Sequence, residues 1–473
     1  MTKSELFAYL EGQSGVMAAI NDQIWSFAEL GMEEVQSSAA LADYLQKEGF
    51  TVTFGVGRLP TAFHAVFGAG HPRIALLGEY DALPGMSQVA GVSHPAPETG
   101  KTHGHGCGHH LLGAAAAAAA VAVSRWLAAT QSSGTVEFFG CPAEENLSGK
   151  AIMAKSGAFS GLDAALTWHP TCYNAVQGVS TLANYKVGFS FSGVSAHAAI
   201  APHLGRSALD SVELMNVGAN YLREHVPSQA RIHYAITDAG GDSANIVQAH
   251  ARVEYIIRAP QLDQVGDIYL RLRDIAEGAA LMSGTRVEIE LIKTCANIIN
   301  NKPLERVLQK NISPDMLPAW SQKDKACADA MIPTIPDNSL EMLSALAGPQ
   351  AVAELKRQSL HEGVLPYISA KVSLPASSDV GDVSWNVPTA QFTAACFAMG
   401  TTEHTWQLVA QGKSPVAHKG MVLAAKVLAG SALDLFCEPE TLEQAGQELN
   451  AALAGRQYKE IFLNNDDTRG ISQ

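Results

Sequence analysis

One short segment carries the strongest signal for metal chemistry in this chain. It runs His103-Gly-His-Gly-Cys-Gly-His-His110 and places Cys107 and His109 two residues apart between glycines. The glycines leave the backbone free to turn both side chains toward one ion. Thiolate and imidazole are ligands of zinc and of similar transition metals. The segment therefore predicts a metal site, and the simpler alternative is a loop whose histidines are solvated.

Four further candidate groups each follow a short apolar run that predicts a β-strand. They are Asp81 after residues 74–77, Glu144 and Glu145 after residues 136–139, and His169 after residues 164–166. In open α/β sheets, the loops beyond the carboxyl ends of the strands form the ligand crevice. We therefore expect these side chains to meet at one edge of the sheet. Taken singly, each has a simpler explanation as a turn cap or a solvated surface group.

The adjacent pair Glu144 and Glu145 suits metal-assisted hydrolysis. Consecutive side chains diverge, so Glu145 can bind a metal while Glu144 faces the attacking water as general base. A metal ion makes hydroxide available near neutral pH, because it lowers the pKa of its water toward roughly 7. The carboxylate then only has to carry a proton.

The pattern of apolar residues predicts an α/β domain with a second domain inserted into it. Helical and strand signals alternate before residue 184, which is typical of a mixed, mostly parallel sheet sandwiched by helices. Residues 184–299 change to the order β-α-β-β-α-β, which is typical of a ferredoxin-like unit. The sequence thus predicts a metal-binding domain over residues 1–183 and 300–473, with the inserted domain over residues 184–299.

Composition excludes several classes of protein and partner. The chain has 473 residues, of which 47% are apolar and 16% charged, so it is globular rather than disordered. Its formal charge of −14 offers no attraction to nucleic acid or to an anionic membrane. No segment approaches the ~20 apolar residues of a membrane helix, and the longest run, residues 111–123, predicts a buried alanine-rich helix. Seven cysteines without regular spacing predict a reducing, cytoplasmic setting.

Taken together, the motifs resemble those of a known family. They are GEYDALPG (residues 78–85), HGHGCGHHLLG (103–113), CPAEE (141–145), TWHP (167–170) and GVSAHAAIAPHLGRSALD (193–210). They are similar to motifs of the co-catalytic metallopeptidases that include carboxypeptidase G, aminoacylase and the plant auxin-conjugate amidohydrolases. The resemblance implies a metal-dependent amidohydrolase that cleaves the amide between an aromatic or acyl group and an amino acid.

The same resemblance implies individual roles in the site. It makes Cys107, His109, Glu145 and His169 metal ligands, Glu144 the general base and Asp81 the carboxylate that supports the metal centre. One or two ions of zinc or manganese suit these donors, and the sequence does not choose between them. Two positions depart from the family. Glu79-Tyr-Asp81 stands where much of the family has His-X-Asp, and His110 stands where the cysteine-containing branch commonly has Asp.

A last metal ligand is expected from the C-terminal part of the chain, where His404 and His418 both qualify. In the family this histidine precedes the final long helix by a long loop. That helix is predicted to begin near Lys419, so His404 is favoured. His418 would lie at the start of the helix, where solvation is the simpler explanation.

The inserted domain resembles the family's lid and dimerisation domain. His197 matches the histidine that reaches the oxyanion, often from the other chain of a dimer, while Asn245 and Arg258 match residues that hold the terminal carboxylate of the substrate. A guanidinium makes a planar two-point fit to a carboxylate, which suits Arg258. The implied partner is an identical chain, in a homodimer, or a related A-type subunit, in a heterodimer.

Two alternative functions stay open. The first is another activity of the same site: hydrolysis of other N-acyl amino acids, dipeptides or auxin conjugates, or deamination of an aromatic amine. The second is a non-catalytic subunit that contributes His197 to a different catalytic chain. The presence of Glu144 and of every ligand type favours a catalytic chain.

Overall fold

The computed structural model describes residues 1–369 and 373–458. Within them the chain forms two compact units. The first unit contains residues 1–179, 299–369 and 383–455, and the second contains residues 180–298, 373–382 and 456–458.

Strands of both units are numbered along the chain. They are β1 (Thr51–Phe54), β2 (Phe63–Ala69), β3 (Arg73–Glu79), β4 (Leu83–Pro84), β5 (His103–Gly104), β6 (Gly134–Cys141), β7 (Ala164–Thr171), β8 (Ala175–Gly178), β9 (Ala183–Ser192), β10 (Arg231–Asp238), β11 (His250–Ala259), β12 (Arg286–Cys295), β13 (Ile368–Ser369) and β14 (Thr389–Ala395).

The helices are numbered in the same way. They are α1 (Lys3–Gly12), α2 (Ser14–Phe27), α3 (Val35–Lys47), α4 (His109–Thr130), α5 (Glu144–Leu147), α6 (Gly149–Lys155), α7 (Ala208–Leu222), α8 (Leu262–Ser283), α9 (Lys302–Asn311), α10 (Gln322–Met331), α11 (Glu341–Ala347), α12 (Pro349–Leu355), α13 (Val380–Ser384), α14 (Trp406–Gln411), α15 (Pro415–Cys437) and α16 (Pro439–Leu453).

An eight-stranded sheet organises the first unit, in the order β1-β2-β6-β3-β7-β14-β8-β13. The four central strands, β6, β3, β7 and β14, are parallel, and Leu76 of β3 pairs with Phe138 of β6 on one side and Leu166 of β7 on the other. These central strands are almost entirely buried, as strands of a parallel sheet covered on both faces must be. The predicted strands at residues 74–77, 136–139 and 164–166 and the mixed, mostly parallel fold are confirmed.

Helix α4 packs against β3 and forms the centre of the core. The predicted alanine-rich helix is confirmed, since every residue from 111 to 123 is buried. Small side chains bring the helix close to the sheet: a Cβ at Gly113 would lie 2.5 Å from the Glu79 carbonyl oxygen. The Trp168 indole of β7 also donates a hydrogen bond to the Leu112 carbonyl at 3.2 Å.

Helices α4 and α15 are each long and apolar enough to cross a membrane, so the prediction that no segment approaches a membrane helix in length is wrong. Their most apolar 18-residue stretches have a mean hydropathy of 1.6. Those stretches are 89% and 83% buried in the first unit, and α15 packs against α4. Burial of this extent is typical of core helices.

The second unit follows the predicted order β-α-β-β-α-β, with β9, α7, β10, β11, α8 and β12 in sequence. Its sheet has the order β10-β11-β9-β12, and every neighbouring pair is antiparallel. Along β11, buried residues alternate with partly exposed ones, because one face packs against α7 and α8. The ferredoxin-like arrangement is therefore as predicted. Strand β10 lies at an edge of this sheet.

We predict that Gly113→Ala destabilises the first unit, because the new methyl group would meet the Glu79 carbonyl oxygen well inside contact distance. Overpacking of this kind costs about 1–3 kcal/mol. Gly446→Ala on α16 is the matched control, since a Cβ there meets nothing within 4 Å. It should leave stability unchanged or raise it by up to about 1 kcal/mol. Urea unfolding followed by circular dichroism measures both, and equal stabilities would contradict the close packing of α4 on β3.

Candidate metal centre

Three parallel strands bring the predicted site residues to one edge of the sheet. Asp81 follows the end of β3, and Glu144 and Glu145 open helix α5 just beyond β6. His169 lies within β7 rather than in the loop after it, because this strand extends five residues beyond the predicted 164–166, to Thr171. The strands are parallel, so their carboxyl ends share an edge. Cys107 reaches this edge from the loop that leads into α4.

Side-chain ligand atoms in this region fall into three overlapping groups, each with all atoms within 4.8 Å of one another. The groups are Cys107 with His109 and His169, Cys107 with Glu145 and His404, and His109 with Glu144 and Glu145. The Cys107 Sγ and His169 Nε2 atoms are 3.5 Å apart. The structure thus brings together the five candidate ligands and the candidate base. A thiol, imidazoles and carboxylates are the donors that zinc and similar divalent ions prefer.

Asp81 lies beneath these groups with its carboxylate fully buried. Its Oδ1 accepts a hydrogen bond from His109 Nδ1 at 2.8 Å, and its Oδ2 accepts one from the Glu145 amide at 3.0 Å. A carboxylate that holds one ring nitrogen fixes the orientation of a ligand histidine. Asp81 therefore orients one candidate ligand and anchors the backbone of another.

His109 and its neighbours form a buried charged cluster. Burial lowers the pKa of His109, but the neighbouring Cys107, Asp81 and Glu79 outweigh it and hold the pKa well above its ordinary value. Burial raises the pKa of Asp81, but His109 more than offsets this and the pKa is lowered. Burial raises the pKa of the Cys107 thiol well above its ordinary value. A coordinating metal ion deprotonates a thiol, so these donors fit a divalent cation.

Of the two candidates for the last ligand, the structure places His404 beside Glu145, with 3.2 Å between its Nε2 and Glu145 Oε1. His404 has a positive φ of 60°, and its amide donates to the Gly106 carbonyl at 2.7 Å, which ties this loop to the cysteine loop. His418 Nε2 instead lies 2.9 Å from Asp22 Oδ1.

The final long helix also starts earlier than predicted. Helix α15 begins at Pro415 rather than near Lys419, because the Ser414 side chain caps it by accepting from the Ala417 amide. His418 thus lies within the first turn of the helix. His110, the position that departs from the family, is buried and donates from Nε2 to the Gly412 carbonyl at 3.1 Å.

Glu34 is a further buried carboxylate, which no sequence motif predicts and which contacts the residue before Glu144. Its two oxygens accept hydrogen bonds from the Ala143 amide at 2.8 Å and from the Thr61 hydroxyl at 2.9 Å. Ala143 precedes Glu144 and has a positive φ of 58°, so the contact holds a strained residue in place. Burial, with a contribution from Asp81, raises the pKa of Glu34 to about 7. No local pattern in the sequence distinguishes Glu34 from the solvated glutamate expected at a helix start.

Lys150 is a second residue that no motif predicts: it is fully buried, with its Nζ 2.5 Å from Glu79 Oε1. Burial raises the pKa of Glu79, but Lys150 and His109 together lower it below its ordinary value. A lysine in sequence normally predicts exposure, so nothing pointed to this ion pair.

In the second unit, His197 and Asn245 are neighbours. The exposed His197 ring accepts at Nδ1 from the Ala199 and Ile200 amides, each at 3.2 Å, so in the neutral ring Nε2 carries the proton. The Ala198 amide donates to the Asn245 carbonyl at 2.9 Å.

Arg258 is remote from that pair. It lies near the far end of β11 and donates from Nη1 to the Ser377 hydroxyl at 2.9 Å. His197 bridges to Ile246, which precedes β11. The strand from His250 to Arg258 spans roughly 25 Å, so Arg258 lies toward the opposite end of β11 from the segment that His197 contacts.

Comparison with known proteins identifies the family. Residues 75–405 match the sequence profile of peptidase family M20/M25/M40. The chain belongs to this family. It is therefore a metal-dependent hydrolase, as the motifs predicted.

Individual relatives agree with this assignment. The chain is 48% identical over 436 residues, 91% of either sequence, to the B-type subunit of the p-aminobenzoyl-glutamate hydrolase of Escherichia coli strain K12. The motif combination GEYDALPG, GHGCGH, PHLGRSALD, DVGDVSW and HTWQLV predicts likeness to this protein in particular, and the comparison confirms it. The chain is also 28% identical over 459 residues to the Xaa-Arg dipeptidase of Mus musculus, covering 93% of this chain and 90% of that one.

Solved structures share the fold. The aminobenzoyl-glutamate utilization protein from Klebsiella pneumoniae matches 91% of this chain and 98% of its own, with a TM-score of 0.60 and 17% identity. A dinuclear metal-binding peptidase of the M20 family from Bacillus subtilis matches 88% of this chain and 99% of its own, with a TM-score of 0.53 and 16% identity. At this level of identity the likeness shows the fold alone.

We predict that Glu34→Gln removes a pH-dependent loss of stability. Since burial raises the pKa of Glu34 to about 7, the folded protein keeps a proton there that the unfolded chain releases near pH 4.5. Stability therefore falls as pH rises from about 4.5 to 7, by up to about 1.4 kcal/mol per pH unit, and the full loss is present above pH 7.

Glutamine keeps the shape of the side chain, since its oxygen can accept from the Ala143 amide and its NH2 group can donate to the Thr61 hydroxyl, but it has no proton to lose. The difference in unfolding free energy between Glu34→Gln and wild type should therefore grow across this window in favour of the variant. Urea unfolding at half-unit pH steps from 4.5 to 8 measures it. If the unfolding free energies of the two proteins change with pH in parallel, the raised pKa of Glu34 is contradicted.

Proposed function

We propose that this chain hydrolyses p-aminobenzoyl-glutamate to p-aminobenzoate and glutamate. The observation that carries the proposal is the 48% identity over 91% of the sequence to the B-type subunit of that hydrolase, with every catalytic and ligand type of the family's motifs in place. The meeting of these residues at one edge of the sheet supports it. The neighbouring activities on the same site are the competing candidates, and a relative named Xaa-Arg dipeptidase makes dipeptides the first of these.

In this proposal, Cys107, His109, Glu145, His169 and His404 hold one or two ions of zinc or manganese. A divalent ion bound by these residues would polarise the amide carbonyl and would make hydroxide available at neutral pH. Asp81 keeps His109 in one orientation through its Nδ1 and fixes the Glu145 backbone. The five donors come from four separate segments, so the fold rather than any local motif supplies the site.

Glu144 moves the proton in this reaction. It takes the proton of the attacking water and passes it to the leaving nitrogen of glutamate. The position of Glu144 in one ligand group with His109 and Glu145 supports this role. His197 stabilises the oxyanion by donating from Nε2, the nitrogen that its backbone contacts leave protonated.

Asn245 and Arg258 hold the terminal carboxylate of the substrate, but from different chains. The roughly 25 Å of strand from His250 to Arg258 lies between Arg258 and the segment that carries Asn245 and contacts His197, which supports a site built from two chains. We therefore assign residues 1–183 and 300–473 to metal binding and catalysis, and residues 184–299 to the lid and to dimerisation.

The second unit offers a surface for such a partner. Strand β10 has an unpaired edge with partly exposed Tyr234 and Ile236, and one face of α7 exposes Leu214, Val217 and Tyr221. Another copy of this fold, either an identical chain or a related A-type subunit, would cover it. A relative from Haemophilus influenzae is named as a homolog of the A-type subunit of p-aminobenzoyl-glutamate hydrolase.

All seven cysteines are free, which supports a reducing cytoplasmic location.

The direct test is a substrate panel with and without the general base. Wild type loaded with zinc or manganese should have the highest kcat/KM on p-aminobenzoyl-glutamate among N-acyl amino acids, Xaa-Arg dipeptides and indoleacetyl-aspartate. Glu144→Gln should lose about 10²- to 10⁴-fold in kcat yet keep its metal by elemental analysis. The control Glu145→Gln should lose metal as well. A different preferred class, or an active Glu144→Gln, would contradict the proposal, and an inactive wild-type chain would favour the non-catalytic alternative.

Mixing inactive chains tests whether His197 acts across a dimer. Glu144→Gln and His197→Ala should each be inactive alone, but a mixed dimer contains one site with both residues intact. Random pairing makes half of the dimers mixed, so activity should recover to about a quarter of wild type after co-refolding. If activity does not recover while wild type remains active alone, His197 acts within its own chain or has no role.

A further inference from the structure

The first unit contains a fully buried lysine that the proposed reaction does not use. Lys150 lies in α6, five residues after Glu145, with 0% of its side chain exposed. Its Nζ is 2.5 Å from Oε1 of Glu79, whose side chain is 3% exposed. Lysine is almost never fully buried unless it is paired with a carboxylate, because desolvating the charge is costly. This ion pair therefore needs an explanation in terms of what surrounds it.

Glu79 uses its second oxygen to contact His109. The distance from Glu79 Oε2 to His109 Nε2 is 3.1 Å, and on the other side of the ring His109 Nδ1 lies 2.8 Å from Asp81 Oδ1. Both ring nitrogens thus face carboxylates. A ligand histidine gives one nitrogen to the ion and uses the other for an orienting hydrogen bond. Asp81 makes the shorter contact and also binds the Glu145 backbone, so it is the orienting group, and Glu79 competes with an ion for Nε2.

How strongly Glu79 holds the His109 ring depends on its other partner, Lys150. In a buried, low-dielectric setting, a carboxylate with His109 as its one cationic neighbour would bind the ring tightly, because releasing it leaves an uncompensated charge. Lys150 supplies that compensation from the opposite side, and it approaches Glu79 more closely than His109 does. Glu79 can therefore give up the ring without being left as a lone buried charge.

We propose that Lys150 is a positioning residue of the metal centre, which keeps Glu79 paired and so frees His109 Nε2 for the ion. This inference rests on the proposed metal centre. It assigns a role to Glu79, the residue where the chain departs from the family's His-X-Asp. Lys150 neutralises the charge of Glu79 at this position, so the effect of either residue on the metal centre depends on the other.

The test measures metal affinity in a set of matched variants. The dissociation constant for zinc is determined by competition with a chromophoric chelator, and stoichiometry by elemental analysis. Lys150→Met removes the ammonium at nearly constant length. The double variant Lys150→Met/Glu79→Gln also removes the competing charge, since a neutral amide holds an imidazole far less strongly. Lys419→Met is the control, because it breaks an ion pair with the buried Asp324 at 2.6 Å that contacts none of the candidate ligands.

Lys150→Met should weaken zinc binding by roughly 10- to 100-fold, the usual effect of losing a group that orients a ligand. The double variant should recover to within about threefold of wild type. Lys419→Met should bind zinc as wild type does, even if its melting temperature falls. Zinc affinity separates this role from a merely structural one, because a pair that only stabilised the interior would leave the zinc affinity of folded Lys150→Met at the wild-type value.

Each other outcome is also decisive. Wild-type affinity in Lys150→Met, or equally weak binding in the single and double variants, would overturn the inference and leave the metal centre intact. If wild-type protein does not bind stoichiometric zinc, the proposed metal centre itself is refuted. If Lys150→Met does not fold but the double variant folds and binds zinc, the inference is supported. If neither folds, it is contradicted, because removing both charges should restore a compatible interior.

Discussion

A single buried carboxylate connects the parts of the candidate site. Asp81 binds the His109 ring with one oxygen and the Glu145 amide with the other. These contacts join the segment after β3 to the start of α4 and to the loop after β6. A buried carboxylate must be paired, so these three segments cannot separate without leaving its charge unpaired. The arrangement of donor atoms follows from that requirement and from the parallel order of the strands.

Two residues with a left-handed backbone conformation belong to the candidate site or adjoin it. Ala143 and His404 both have positive φ values, which residues with a side chain rarely adopt. Ala143 directly precedes Glu144, and His404 is itself a candidate ligand. Each is held by a specific contact: Glu34 accepts from the Ala143 amide, and the Gly106 carbonyl accepts from the His404 amide. Strained residues persist when their surroundings determine them this strongly.

The sequence predicted the framework of the site well, because its signals are local. Apolar runs marked β3, β6 and β7, and the strand-end rule then placed Asp81, Glu144 and Glu145 at a common edge. The β-α-β-β-α-β order of the second unit was equally visible. The start of α15 was misplaced although Ser414 and Pro415 carry the signal of a capped helix, so that error was avoidable.

The buried polar partners could not be predicted in the same way. Glu34 and Lys150 look like surface residues in sequence, and their burial depends on contacts with Ala143 and Glu79, which are distant along the chain or belong to another element. The choice of His404 over His418 already follows from the expected loop before the final helix, and the structure places His404 beside Glu145 and His418 beside Asp22. Charge compensation in an interior is a property of tertiary structure, which single-sequence patterns do not encode.

Convergence of these donors on a metal ion is the central requirement of the proposed site. Anomalous diffraction at the zinc or manganese edge, from crystals grown with that ion, measures this directly. One or two anomalous peaks are expected within about 2.0–2.3 Å of donor atoms of Cys107, His109, Glu145 and His169. Peaks elsewhere, or no peak among these residues at full metal loading, would contradict it.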